Sequence, residues 1–124
     1  MSIDCGSKTN YMKPTNHHEI SLQTAIDMTT LYRANRPAQF PLCETFEKEA
    51  VHKLLATEGC VSLRIYYGMK ENKNVDAILV AVNSSGEDIL PTATNAVTAS
   101  DEPIILEDGL RCPDHCPPKS PLNS

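Results

Sequence analysis

Two thiols and an imidazole lie within five residues near the end of the chain, in the segment Cys112-Pro-Asp-His-Cys116. Zinc prefers thiolate and imidazole ligands, so Cys112, His115 and Cys116 could fill three of its four tetrahedral positions. The fourth ligand would have to come from a distant part of the sequence. The N-terminal segment offers three candidates, which are Cys5, His17 and His18. One interpretation is therefore a zinc clasp that joins the two ends of the chain.

Two other interpretations of this segment need no metal. Cys112 and Cys116 could be small apolar side chains in a tail stiffened by Pro113 and Pro117, with His115 facing water. Alternatively, a sharp turn at Pro113 could close a reversible disulfide between the two cysteines. The two-residue spacing of thiol oxidoreductases is missing, as is a helix N-terminus that would activate the attacking thiol. A thiol-based enzyme is therefore only the third class of function that we consider.

A second group of candidate residues follows Gly59, where Arg64, Tyr66 and Tyr67 lie close together in an alternating segment. A sheet face that carries a cation and a phenol is a reasonable place to hold a carboxylate. The alternative is ordinary cross-strand packing, in which the polar tips of these side chains reach water. The sequence leaves both a ligand groove and simple packing open.

Helical spacing of apolar residues predicts two helices in the first half of the chain, over residues 21–35 and 44–57. Ser21 is a suitable N-cap for the first helix, and Pro37 ends it. Glu44 and Lys48 form an acid-before-base pair four residues apart, which is typical of the solvated face of a helix.

The middle of the chain has the periodicity of strands. Residues 60–67 alternate between apolar and polar, which predicts a half-buried strand. Residues 75–82 are apolar on both faces, which predicts a central strand, and residues 89–90 begin a short third strand. Together they predict a three-stranded antiparallel meander. After a loop over residues 91–103, the apolar run 104–106 and a hairpin turn at Glu107-Asp-Gly109, which leads through Leu110 to Cys112, predict a short edge strand.

These elements predict one α+β domain. Two N-terminal helices are expected to pack on one face of a mostly antiparallel sheet of three to five strands, and both termini are expected to be irregular. Residues 1–18 are interpreted as a mobile arm, residues 19–112 as the domain, and residues 113–124 as a Pro-rich tail.

Charge and composition exclude several partners. The formal net charge is −5, and no basic residue lies between Lys73 and Arg111. Nucleic acids and anionic membrane surfaces both attract basic proteins, so neither is an expected partner. No apolar run is long enough to cross a membrane, and the odd number of five cysteines fits a reducing compartment. We therefore expect a cytoplasmic protein.

The sequence contains no P-loop, nucleophile elbow, dinucleotide fingerprint or zincin helix. We therefore expect no catalytic residues and no obligate cofactor, and a small non-enzymatic binding or assembly module is the leading prediction. Because the central strand is apolar on both faces, the sheet needs cover on its second side. A homodimer formed through that face is the preferred prediction, with an unknown protein partner as the alternative.

Several segments together resemble a group of small bacterial proteins of unknown function. They are Ile20-Ser-Leu-Gln-Thr-Ala-Ile-Asp27, Gly59-Cys-Val, Arg64-Ile-Tyr-Tyr-Gly68, Leu79-Val-Ala-Val-Asn83 to Asp88-Ile-Leu90, and the Cys-Pro-x-x-Cys tail ending Ser120-Pro-Leu-Asn123. The resemblance covers most of the chain beyond residue 19. It implies a bacterial cytosolic source and carries over no functional residue.

Overall fold

The structure, a computed structural model, describes residues 17–92 and 102–123. Its two helices are α1 (Leu22–Asn35) and α2 (Lys48–Leu55), and its five strands are β1 (Cys43–Thr45), β2 (Ser62–Met69), β3 (Val75–Val82), β4 (Asp88–Ile89) and β5 (Leu110–Cys112). The strands form two antiparallel sheets, one ordered β2-β3-β4 and the other made of β1 and β5. The α+β class and the antiparallel meander are confirmed. Most of the predicted N-terminal arm, residues 1–16, lies outside the described residues.

Helix α1 begins and ends where its sequence predicts. The Ser21 Oγ accepts a hydrogen bond from the Thr24 N–H at 3.0 Å, and the helix ends before Arg36-Pro37 because proline disfavours helical backbone in the preceding residue. No residue of α1 is buried. The Tyr32 hydroxyl donates to the Pro41 carbonyl at 2.6 Å, and the Arg33 guanidinium donates to the Leu122 carbonyl at 2.8 Å. These bonds tie α1 to the segment before β1 and to the tail, and the predicted packing of both helices on one sheet face is not confirmed.

The start of the second helix was predicted wrongly. Residues 43–45 form β1 and pair with β5, so α2 begins only at Lys48. Within the predicted edge segment, residues 104–106 make only a single bridge, between Leu106 and Leu79, and the strand forms at Leu110–Cys112, where it pairs with β1. In both places, pairing between distant parts of the chain overrides the local pattern.

A small core lies between α2 and β3. Leu54 and Ala81 are fully buried and Leu79 is nearly so, and Phe46, Ile89, Ile104 and Leu106 pack around them. Complete burial of a leucine side chain contributes about 1.5–3 kcal/mol. Leu54 therefore anchors α2 to the three-stranded sheet.

Strand β3 is central, as predicted, and its two edges are covered differently. Strand β2 pairs with the whole of one edge. The other edge pairs with β4 near its end and with Leu106 at Leu79, while the N–H of Val75 donates to the Gln39 carbonyl at 3.0 Å. The N–H of Ala77 donates to the Glu44 carboxylate at 3.1 Å, so a side chain replaces a strand at this point. Within the described ranges, neither helix is long and apolar enough to cross a bilayer.

Candidate functional site

The tail cysteines form a disulfide between Cys112 and Cys116, with their Cα atoms 4.4 Å apart. Cys112 ends β5 and is only 4% exposed, whereas Cys116 and His115 are exposed. A turn closes the short loop, in which the His115 N–H donates to the Arg111 carbonyl at 2.6 Å. Of the three interpretations of this segment, the structure adopts the disulfide.

The disulfide bears directly on the zinc prediction. Sulfur atoms bound to each other are not thiolates, so Cys112 and Cys116 offer no zinc ligand in this state. His17 and His18 lie with their ring centroids 4.0 Å apart, and Cys5 falls outside the described residues. No group of three or more His, Cys, Asp or Glu residues in 17–92 and 102–123 is placed to hold a metal ion. Zinc binding by the reduced chain stays a prediction.

A third cysteine lies beside this disulfide. Cys43 in β1 is the register partner of Cys112 in β5, and its thiol is free and half-buried. Side chains directly opposite each other in an antiparallel pair share one face, with Cβ atoms about 4.5–5.5 Å apart. Cys43 lies just before the helix predicted over residues 44–57, so the sequence did not indicate this pairing.

The next register pair places an acid opposite a base. Glu44 lies across from Arg111, and both side chains reach Asp76 at the start of β3. Asp76 is only 5% exposed, with its Oδ1 atom 3.6 Å from the Arg111 Nε and its Oδ2 atom 3.7 Å from the Lys70 Nζ. Glu44 was predicted to lie on a solvated helix face with Lys48. This was wrong, because Glu44 belongs to strand β1. The pairing of β1 with β5 therefore gathers a partly buried charge cluster.

The pKa of Glu44 is raised to about 7, mainly by burial and then by a hydrogen bond with Asp76, while the Ala77 N–H acts to lower it. The Glu44 Oε2 atom is buried and has no hydrogen-bond partner among the described residues while both carboxyl groups are ionised. A proton on Glu44 turns this acceptor into a donor, which can then bond to Asp76. Below its pKa of about 7, Glu44 therefore carries a proton that it can donate to Asp76.

A cavity of about 490 Å³ opens beside this cluster. Its wall is mostly apolar, with Tyr32, Phe40 and Leu42 on one side, and it also includes Cys43 and Glu44. Cavities of this size are typical of small-molecule sites. Burial raises the pKa of the Tyr32 hydroxyl, which bonds to the Pro41 carbonyl rather than pointing freely into the space.

The predicted groove residues do not share one face. Arg64 and Tyr66 lie on one side of β2, and Tyr67 lies on the other side and is 75% exposed. The carboxylate that lies between Arg64 and Tyr66 belongs to Asp88 of the same chain and not to a ligand. Asp88 accepts from the Arg64 guanidinium at 2.6 Å and from the Tyr66 hydroxyl at 2.5 Å. These bonds fit the packing alternative, in which the polar tips of the two side chains reach the protein surface.

The opposite face of β2 is apolar and exposed. Its row of large side chains is exposed by 40–75% in each case and consists of Leu63, Ile65, Tyr67 and Met69. Strand β2 is also an edge of its sheet, since only β3 pairs with it among the described residues. The alternation of residues 60–67 predicted a half-buried face that contains Leu63, Ile65 and Tyr67, whereas Met69 lies beyond the predicted strand. The structure leaves the face largely uncovered by the described part of the chain.

No protein-family model, curated protein or solved structure matches the chain. The features that indicate a function are the β1–β5 ribbon, which is the two-stranded sheet formed by those strands, and the open edge strand β2.

Proposed function

We propose that the protein is a small, non-enzymatic assembly module that forms a homodimer through strand β2. The observation that supports this most strongly is the coincidence of an open strand edge and an exposed apolar row on the same eight-residue strand. An exposed, apolar edge strand is a template for pairing with another strand. A dimer formed there would pair the open edge and bring the two apolar rows side by side.

The hydrogen-bonding groups on the free edge belong to the residues of the apolar row. In β3, the N–H groups of Val75, Ala77 and Leu79 point away from β2. Backbone N–H groups alternate in direction along a strand, so the cross-strand partners of these residues in β2 also direct their N–H groups away from β3. Leu63, Ile65, Tyr67 and Met69 thus combine open backbone groups with exposed apolar side chains.

Strand β2 lacks the usual protection of an edge. Natural edge strands carry lysine, proline or a bulge that discourages pairing. The segment Ser62–Met69 contains neither lysine nor proline, and its register with β3 runs without interruption from Ser62 to Met69. A second strand can therefore align along its full length.

A second copy is the occupant that we propose, because the strand is compatible in charge with itself. The chain carries a net charge of −5, yet the only charged side chain in β2 is Arg64, which is already paired with Asp88. Antiparallel pairing centred on Ile65 would place Arg64 opposite Tyr66 of the second copy and Leu63 opposite its Tyr67. No like charges would face each other along the shared edge, and the two apolar rows would become continuous.

Light scattering coupled to size exclusion tests this proposal at micromolar concentration. The wild-type chain of 13.6 kDa is expected to elute with twice that mass. Ile65→Lys places a charge in the middle of the interface and is expected to give a monomer. Ile105→Lys is the matched control, since Ile105 is 45% exposed and Ile65 is 46% exposed.

The control variant is expected to stay dimeric. A wild-type monomer would contradict the proposal, and so would a dimer that survives Ile65→Lys, because that result would place the interface elsewhere. Zinc binding and thiol catalysis are the alternatives predicted from the sequence, and both would use the tail cysteines Cys112 and Cys116 instead of β2.

A further inference from the structure

We propose that Cys43, Cys112 and Cys116 form a thiol–disulfide exchange site, in which Cys43 displaces Cys116 from Cys112. The Cys43 thiolate attacks the Cys112 Sγ atom, a Cys43–Cys112 bond forms, and the Cys112–Cys116 bond breaks. Cys116 leaves as a thiolate and takes up the proton that Cys43 has lost. The number of disulfides does not change, so the step needs no external oxidant or reductant.

The register of the ribbon supplies the geometry for this attack. Cys43 and Cys112 are direct partners in β1 and β5, and their side chains lie on one face of the ribbon. Opposed residues in an antiparallel pair have Cα atoms about 4.5–5.5 Å apart, within the range of about 4.4–6.8 Å that disulfides span. A Cys43–Cys112 bond can therefore form without rearrangement of the two strands.

The two cysteines of the disulfide differ in their exposure to solvent. Cys112 is 4% exposed, so thiols in solution have little access to it. The thiol of Cys43 is free and half-buried, and the register of the two strands places Cys43 opposite Cys112. Cys116 is exposed and follows a turn, so it is the sulfur that can leave into solvent. The arrangement favours attack by the internal thiol at Cys112 and release of the external one.

The exchange would change the accessibility of the tail. In the present state, the disulfide ties the residues after Cys112 to β5. After exchange, the bond would join the two strands of the ribbon, and Cys116 would become an exposed thiol that low-molecular-weight disulfides can reach. In reducing compartments, disulfides are usually transient, catalytic or redox-sensing. Exchange of a disulfide requires an attacking thiol, and Cys43 is a free thiol in the strand beside Cys112.

The first test asks whether the Cys43–Cys112 bond can form in the folded chain. In Cys116→Ser, oxidation with diamide is expected to join Cys43 to Cys112. Trypsin, which cleaves after Lys and Arg except before Pro, would then release residues 34–48 linked to residues 112–119. The control variant carries Cys60→Ser in addition to Cys116→Ser. Cys60 is also half-buried and free, but its thiol bonds to the Ser62 carbonyl.

The control is expected to leave the yield of the linked peptides unchanged. A Cys116→Ser protein with the wild-type circular dichroism spectrum that forms no Cys43–Cys112 bond would overturn the proposal. A bond from Cys112 to Cys60 or Cys5 in its place would do the same.

The second test follows the exchange itself in the wild-type protein, at pH 8, without added thiol or oxygen. Samples are quenched with acid, alkylated and digested. The linked peptides are expected to appear together with alkylated Cys116, and Cys43→Ser is expected to abolish both signals. The proposal is wrong if Cys43 is fully alkylated and residues 112–119 stay internally closed at every time point.

Discussion

Glu44 and Asp76 bring two carboxyl groups together where the β1–β5 ribbon meets the first residues of β3. Arg111, opposite Glu44 in the ribbon, approaches Asp76 from the other strand at 3.6 Å. The Glu44 side chain also satisfies the Ala77 N–H, a donor that would otherwise be unpaired at the edge of β3. The Glu44 carboxyl group thus accepts a hydrogen bond that a neighbouring strand would otherwise accept. Its protonated form can also donate a hydrogen bond to Asp76.

This relationship predicts a pH dependence of stability. The pKa of Glu44 is raised from 4.5 to about 7 in the folded chain, so between these values the folded state binds more protons than the unfolded state. Its contribution is fully present below pH 4.5 and is lost as the pH rises through 7. A shift of this size corresponds to about 3 kcal/mol, which the partial exposure of Glu44 reduces to about 1–3 kcal/mol.

Glu44→Gln is expected to flatten this dependence, because the amide keeps an acceptor for Ala77 and supplies a donor for Asp76 without ionising. Urea denaturation between pH 5 and 8 measures the free energy of unfolding. The wild-type value should fall by about 1–3 kcal/mol more than that of the variant. Glu49→Gln, which changes an exposed acid on α2, is the control and should follow the wild type. Parallel curves for Glu44→Gln and the wild type would refute the raised pKa of Glu44.

The two adjacent tyrosines of β2 are expected to differ in their effect on Asp88. The hydrogen bond from Tyr66 is the largest cause that lowers the Asp88 pKa, and Arg64 adds to it. Tyr66→Phe is therefore expected to raise the Asp88 pKa toward its ordinary value. Tyr67→Phe should leave it unchanged, because Tyr67 lies on the opposite face of the sheet. An NMR titration of the Asp88 carboxyl carbon measures this pKa in the two variants. Equal values in both would contradict the hydrogen bond from Tyr66 as the main cause of the lowered pKa.

Leu54 and Leu55 provide a matched test of where the core lies. Leu54 is fully buried against Leu79 and Ala81, whereas Leu55 is 45% exposed. Leu54→Ala is expected to lower the free energy of unfolding by about 2–5 kcal/mol. Leu55→Ala should cost less than about 1 kcal/mol. Chemical denaturation measures both, and similar losses would show that α2 packs through a different face.

The meander could be predicted from the sequence because its signal is local. Strand β3 is recognisable from a run that is apolar on both faces, and β2 from strict alternation, although β2 spans Ser62–Met69 where residues 60–67 were expected. Alternation shows which residues share a face, but it does not show what covers that face. The exposure of Leu63 and Ile65 could be learned only from the structure.

The pairing of β1 with β5 could not be predicted in the same way. Each strand has three residues, and the strands lie far apart in the sequence, so neither carries a periodic signal of its own. Glu44 precedes Lys48 by four residues, which matches the pattern of a solvated helix. The tail disulfide was one of three open interpretations. Its neighbour Cys43 became visible only through the pairing with Cys112.

The central claim is that β2 pairs with β2 of a second copy, and residue-resolved hydrogen exchange tests it most directly. Amide exchange is followed by NMR at a concentration that favours the monomer and at one that favours the dimer. The amides of Leu63, Ile65 and Tyr67, which point away from β3, are expected to gain protection only at the higher concentration. Those of Arg64 and Tyr66, which face β3, should be protected at both. Rapid exchange of the outward amides at every concentration would contradict the proposed dimer.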